Sequence, residues 1–499
     1  MKNHKKIGLL LSMMMIIGSV VGIGIFFKNG SVSKAVDGDG ISWLLAWVLG
    51  GLISIAAAIN FAEIGSFSNS KFIGLSNWVY KVTRKKELGY HVSISYAIFY
   101  WGILNTVIGI FASEALFYFF VSIHVVDKDS IKIWMHVIVG LSFTVFFMML
   151  NILSARMSGH FQFMITIIKF VPLIVALFLG ILFTNTFNNG GSNGFLKNAF
   201  TIKGIIVALP AVLFAYDAFL VSGSVSEKTK NPTKTLPKAI LFGMILIVVL
   251  YSLIAVSSIL HSKGEIFELI IDVLPKEFSS KIVAIVMFFI FISALGVTNG
   301  ISSAFTNEVL VLVKNKMLFG SAYLLKRFKE NSVFIFYLSI IEIFYFLVLI
   351  VPGIVLETDI LFDAVSNYPT VIFFMIYGGT IFMYTIKRNQ IHETKKINGI
   401  LFYVAAAISV TGILFMELAY LFFQIQNLFT DNINPSSWGV FWAGKANKLI
   451  SNWVPILLYS VSVLFFFTIP VLNLLLEKIF FKRDILRELN EQTENQVEY

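Results

Sequence analysis

The sequence predicts an all-α integral membrane protein with twelve transmembrane helices. Three observations carry this: the composition, the number of long apolar runs, and the placement of the basic residues between them. Of 499 residues, 57% are hydrophobic and 13% charged, and the mean hydropathy is +0.84. Soluble domains have about 45–50% apolar and about 25% charged residues. So much apolar surface cannot be hidden in a water-soluble core, which leaves lipid as the solvent. The same figures exclude a disordered chain, a coiled coil and a nucleic-acid-binding domain. The net charge of +10 therefore implies no nucleic-acid partner. Cysteine is absent, which rules out disulfides and thiolate metal sites.

A membrane helix needs about 20 mostly apolar residues. Twelve runs qualify, at 7–27, 41–65, 91–121, 133–154, 159–183, 203–225, 237–260, 282–313, 332–352, 361–386, 397–425 and 453–481. The first follows Lys2, Lys5 and Lys6, as a signal peptide would, but it is too long for one and no small-residue cleavage site follows. With the N-terminus inside, cytoplasmic segments hold 26 Lys and Arg and external ones 11, Lys28 among the latter, with Lys169 inside a span. This asymmetry puts both termini in the cytoplasm of a multi-pass cell-membrane protein. An AT-rich bacterial source is compatible with 32 lysines against 6 arginines.

Two spans are interrupted. The first carries Gly18, Gly22 and Gly24 within seven residues. Each glycine weakens a helix by about 1 kcal/mol relative to alanine and lets another backbone or a ligand approach closely. Small-residue helix packing is an equally good reading of the same pattern. The sixth span contains Pro210, which lacks a backbone donor, and Asp217 near mid-membrane. A carboxylate there costs about 2.5–3.5 kcal/mol on insertion scales, so it should face a cavity or a partner. Interrupted helices five apart are the pattern of paired inverted repeats with a midplane site. Freed amides can hold a carboxylate and freed carbonyls an ammonium, and an α-amino acid offers both.

Several stretches together resemble the amino acid–polyamine–organocation (APC) superfamily of bacterial amino acid permeases. They are Gly22-Ile23-Gly24-Ile25-Phe26, Phe61-Ala62-Glu63-Ile64-Gly65-Ser66, Lys169-Phe170-Val171-Pro172, Phe214-Ala215-Tyr216-Asp217-Ala218-Phe219, Glu227-Lys228-Thr229-Lys230-Asn231-Pro232 with Leu236-Pro237-Lys238-Ala239-Ile240, and Ser293 to Gly300. The chain departs from the family pattern at Ile23, which replaces a Ser or Thr, at Ala218, which replaces a glycine, and at Thr306-Asn307. The resemblance implies a LeuT-type fold: a ten-helix core over 7–386, built of inverted repeats 7–183 and 203–386 with broken helices 1 and 6. Two accessory helices over 397–481 and a cytoplasmic tail over 482–499 complete the chain.

It further implies that amides near Gly22, Ile23 and Gly24 bind the substrate carboxylate, and that carbonyls of Val20, Phe214 and Asp217 accept from its amino group. Ala215 belongs to the same stretch. Tyr216 and Phe219 would border the side-chain pocket or gate it, and Asn231 to Ile240 would be a cytoplasmic loop. The Lys169 ammonium would stand, near Ser293, where sodium sits in sodium-coupled relatives. Two like charges about 4 Å apart repel by roughly 4 kcal/mol at an effective dielectric of about 20, so sodium coupling is not expected.

Alternatives stay open for the buried charges. Lys169 is either a fixed cation on carbonyls of span one or a proton carrier. Asp217 either holds the unwound segment or selects cationic substrates. Glu114 and Glu342 lie deep in apolar runs, Glu417 reads as a packing or interface residue, and Glu63 as a cap or ion-pair partner at a span end. The histidines show no metal-ligand spacing, and no phosphate-binding loop, metalloprotease motif or channel filter is present. No cofactor is implied and no enzyme activity is expected. The expected function is amino acid transport by alternating access, as a proton symporter or an antiporter, with amino acid and membrane lipid as partners. The alternative is a membrane amino acid sensor that keeps the pocket without transporting. The sequence leaves the oligomeric state undetermined.

Overall fold

The computed structural model describes residues 8–22, 24–68, 70–182, 191–196, 198–224, 229–261, 276–429 and 451–489. Among them every regular element is helical, and eleven helices are long and apolar enough to cross a membrane. In lipid the backbone must satisfy its own hydrogen bonds, so helices are what such apolar runs form. The chain begins with α1 (Leu9–Val20) and α2 (Asn29–Ala35), joined through a wide π-helical turn, Gly24–Lys28. Next come α3 (Gly40–Ile64), α4 (Gly74–Thr83), α5 (Lys86–Ser122) and α6 (Ile133–Leu153). The fifth predicted span is two helices, α7 (Ala155–Ile168) and α8 (Phe170–Leu182), with Lys169 at the joint. Pro172 explains this joint, since it has no N–H to return to Ile168. The second half comprises α9 (Ile202–Tyr216), α10 (Pro232–His261), α11 (Lys276–Lys314), α12 (Glu330–Val355), α13 (Ile360–Lys387), α14 (Gly399–Asn427) and α15 (Val454–Phe481).

The sixth predicted span, 203–225, is interrupted. Helix α9 stops at Tyr216 after 15 residues, and helical structure resumes at Val221–Ser224. The predicted loop at Asn231 to Ile240 is instead helical from Pro232 onward. Proline is pre-organised for a first helical turn, and Asn231 (φ 47°) presents its carbonyl to the amides of Lys234 and Thr235 at 2.9 and 3.0 Å.

Burial sorts the helices into centre and rim. Helix α5 is 83% buried over its most apolar stretch, whereas α14 and α15 reach only 33% and 28%. Helices α1, α5, α9, α11 and α13 therefore surround the interior, and α14 and α15 lie at the edge. Helix α14 rests on α3 and α13, while α15 rests on α13 and the start of α5.

Candidate functional site

The two helix breaks meet. Helix α1 ends with the Val21 amide donating to the Ile17 carbonyl at 2.8 Å, and Gly22 follows with φ 157°. A Cβ at Gly22 would lie 2.4 Å from Cγ2 of Val297, so no side chain fits there. One at Gly24 would lie 2.6 Å from Cα of Ala215. Glycine is thus needed where the π-helical turn crosses α9 backbone to backbone. On the other side the Asp217 amide donates to the Phe214 carbonyl at 3.3 Å, and Ala218 takes the left-handed conformation at φ 63°. That conformation costs an L-residue roughly 1–2 kcal/mol. A glycine would bear it without a penalty, which is what the departure at Ala218 means physically.

A small cavity lies between the breaks. Its walls are Ser19, Val20 and Gly24 from the first broken segment and Phe214, Asp217 and Ala218 from the second. Tyr100, Leu104 and Ile108 of α5, Val297 and Ile301 of α11, and Thr370 of α13 complete it. Of the residues the sequence singled out, Val20, Gly24, Phe214 and Asp217 reach this cavity. Gly22 and Ala215 stand behind it as packing surfaces. Ile23 lies outside the described residues, as do Glu227 and Lys228.

Tyr216 and Phe219 point elsewhere. The Tyr216 ring packs edge-on to Trp47 at 5.7 Å and beside Tyr251 at 5.2 Å, and its hydroxyl donates to the Trp47 carbonyl at 3.3 Å. Phe219 is fully buried against Phe61, Phe374 and Tyr377. The Val20 carbonyl already accepts from the Tyr251 hydroxyl at 3.1 Å. Ser19 has a buried hydroxyl without a hydrogen-bond partner at the cavity wall. No sequence signal marks Ser19, Leu104, Ile108, Val297 or Ile301, because each is an ordinary residue in an apolar helix.

Asp217 and Lys169 are each held by named groups. The Asp217 carboxylate accepts from the hydroxyls of Tyr100 (2.6 Å), Thr370 (2.8 Å) and Tyr377 (3.3 Å). These come from two helices, α5 and α13, so the carboxylate fastens the unwound segment to both. The Lys169 ammonium donates to the carbonyls of Gly18 at 2.7 Å and Val21 at 2.5 Å. It is fully buried, and Ser293 also approaches Gly22, its Oγ 3.5 Å from where a Cβ there would sit. The Ser293 hydroxyl has no hydrogen-bond partner among the described residues.

Two buried ion pairs flank this centre along α13. Lys28 bonds Asp363 near the start of the helix, with its ammonium 4.8 Å from the Phe214 ring centroid. Counting Lys28 among external loop charges is corrected here. The chain does not leave the protein after Phe26 but continues through the π-helical turn into α2, and Lys28 is fully buried. At the other end Arg388 bonds both oxygens of Glu63 at 2.8 and 2.9 Å. The Tyr384 hydroxyl (2.7 Å) and the Ile397 amide (2.9 Å) also donate to Glu63. Among the described residues no group of three His, Cys, Asp or Glu could hold a metal ion.

Comparison with known proteins agrees with this architecture. A family model described as amino acid permease matches residues 7–444. The serine/threonine exchanger SteT of Bacillus subtilis is 26% identical over 249 residues, covering 50% of this chain and 53% of the relative. The b(0,+)-type amino acid transporter 1 of Mus musculus is 25% identical over 416 residues, covering 77% and 76%. The cystine/glutamate transporter of Homo sapiens is 26% identical over 254 residues, covering 50% and 48%. The match to SteT thus spans about half of that relative's length. With two interrupted helices meeting at a buried cavity and a family match over most of its length, this multi-pass membrane protein belongs to the amino acid permease family.

Proposed function

We propose that the chain is a secondary transporter that moves amino acids across the membrane by alternating access, independently of sodium, as a proton symporter or an exchanger. The observation that carries this reading is the cavity where the two helix breaks cross, lined by backbone as well as side chains. Substrate would bind there, its carboxylate on amides around Gly22 to Gly24 and its ammonium on carbonyls of Phe214 and Asp217. The repeats 7–183 and 203–386 would rock around it, with 397–481 as accessory helices and both termini in the cytoplasm. Such a site needs no charged side chain, because helix ends supply the partial charges.

The fixed ammonium of Lys169 on the Gly18 and Val21 carbonyls supports sodium independence, since it sits against the broken helix. The three hydroxyls on Asp217 support its role as a fastener of the unwound segment, because its oxygens are already occupied. They favour neutral over cationic substrates. The apolar walls from Leu104, Ile108, Val297 and Ile301 agree with a small, neutral side chain. Serine, threonine and the substrates named for the other relatives are the first to try.

Gly24→Leu tests the placement of the site. The new side chain would force the π-helical turn away from Ala215, and overpacking of this kind costs typically 1–3 kcal/mol. The variant should insert normally and lose amino acid binding, measured by ligand-induced thermal shift in detergent. Wild-type affinity in this variant would put the site elsewhere.

A further inference from the structure

Glu342 lies halfway along α12, the thirteenth of 26 residues in Glu330–Val355. It is half-buried, and its neighbours Ile343 and Phe344 are exposed on the outer face of the bundle. Its carboxyl accepts from the Asn105 amide at 2.6 Å and from the Thr106 hydroxyl at 2.9 Å, both on α5. Among the described residues no ammonium, guanidinium or imidazole bonds it. From its own helix the nearest titratable neighbour, Tyr345, donates to the Ile98 carbonyl at 2.8 Å. An unpaired carboxyl at mid-membrane depth marks a proton or ion site more often than a structural one.

A buried polar path leads inward from it. The Asn105 side-chain oxygen Oδ1 accepts from the Ser302 hydroxyl of α11 at 2.6 Å. One turn earlier on α11, the Asn299 amide donates to Gln162 of α7 at 2.8 Å. The Gln162 amide nitrogen has no hydrogen-bond partner among the described residues and lies against Gly18, whose carbonyl holds Lys169. These two sets of contacts, one turn apart on α11, relate α12 and α5 on one side to α7 and the first helix break on the other.

We propose that Glu342 binds the transported proton and that its protonation state is coupled to the helix break through the Asn105–Ser302 and Asn299–Gln162 contacts. The inference rests on the transporter reading. When the proton leaves, a carboxylate with two neutral donors is left at mid-membrane depth against α5, which is tolerable only after α12 shifts against α5 to bring in water. Ionisation and rearrangement therefore go together.

Glu342→Gln is the test. Glutamine keeps the shape, accepts from Asn105 and can donate to Thr106, whose hydroxyl is also bonded to the Gly102 carbonyl at 2.9 Å. It mimics the protonated carboxyl and cannot release a proton. Proteoliposomes would be assayed with labelled L-serine, L-threonine, L-alanine and L-leucine, once for exchange against internal amino acid and once for uptake under an inward proton gradient. One coupled proton drives up to about tenfold accumulation per pH unit. The wild type should show that accumulation, and Glu342→Gln should lose it while keeping exchange within about twofold. A protonated-carboxyl infrared band that titrates in the wild type should be missing in the variant. Proton-driven accumulation surviving in Glu342→Gln overturns the proposal, as does a wild type that exchanges but ignores the gradient. Absence of exchange by the wild type for all four amino acids contradicts the transporter reading itself.

Discussion

Helix α13 carries a buried ion pair at each end, and the two are built differently. At Glu63 and Arg388 the contact is bidentate. The same guanidinium lies 4.6 Å from the Phe402 ring centroid and donates to the Ile397 carbonyl at 2.9 Å. Glu63 takes two further donors, from Tyr384 and Ile397. Five groups therefore fix one end. At Lys28 and Asp363 an ammonium meets a carboxylate beside the Phe214 ring, and the lysine sits on the π-helical turn of a broken helix. A planar fork bonded to both carboxylate oxygens and laid against the Phe402 ring resists separation more than a point charge on a flexible stem. The comparison teaches that α13 is anchored at its Arg388 end and held more loosely at its Lys28 end. Between them, Thr370 and Tyr377 tie the same helix to Asp217.

Removing the acidic partner at each end breaks or sharpens this contrast. Glu63→Ala should have the larger effect, because arginine cannot shed its charge and Tyr384 and the Ile397 amide lose their acceptor. Breaking a buried pair in this way costs about 3–5 kcal/mol, so the variant should give little folded protein by size-exclusion chromatography in detergent. Asp363→Ala removes one acceptor from the Lys28 ammonium, which keeps its contact with the Phe214 ring. A loss of roughly 1–3 kcal/mol is expected, that of an unsatisfied buried donor. The folded protein should be recovered, with a lowered thermal midpoint in detergent. Equal losses from the two variants would remove the distinction between anchored and loose ends.

The smallest effect belongs to a pair on the surface beside the anchored end. Arg84 bonds Glu393 at 2.5 Å and holds its carboxyl below the usual glutamate range, with Lys81 assisting. A depressed folded-state value adds stability that is present above the unfolded value and lost as pH falls through the folded one. The Glu393 side chain is 40% exposed, so screening leaves about 0.2–1 kcal/mol. Thermal midpoints measured between pH 6 and 3 should fall slightly less steeply in Glu393→Gln than in the wild type, and an identical slope would show the pair to be neutral.

The membrane helices were legible in the sequence because lipid imposes a simple rule on long runs: mostly apolar, with few charges. Both breaks were legible as well, since Gly22, Gly24 and Asp217 are conspicuous inside such runs. The cavity walls were not. Leu104, Ile108, Val297 and Ile301 differ from lipid-facing neighbours in placement and not in type, and placement depends on how α5 and α11 rotate against the breaks. Lys28 misled for a related reason: a charge just after an apolar run reads as a loop residue unless its partner, 335 residues away, is known. Tyr216 stood in a motif associated with the site, yet the end of α9 turns its ring toward Trp47 and Tyr251.

On the proposed mechanism, amino acids cross the membrane through the cavity between the breaks, and Lys169 excludes sodium. The most direct measurement is uptake of a labelled amino acid panel into proteoliposomes under an imposed sodium gradient, an imposed proton gradient, or neither with internal amino acid present. Uptake of small neutral amino acids should be indifferent to sodium, driven by inward protons or by exchange, and abolished in Gly24→Leu. Strong stimulation by sodium in the wild type, or undiminished uptake in Gly24→Leu, would contradict that mechanism.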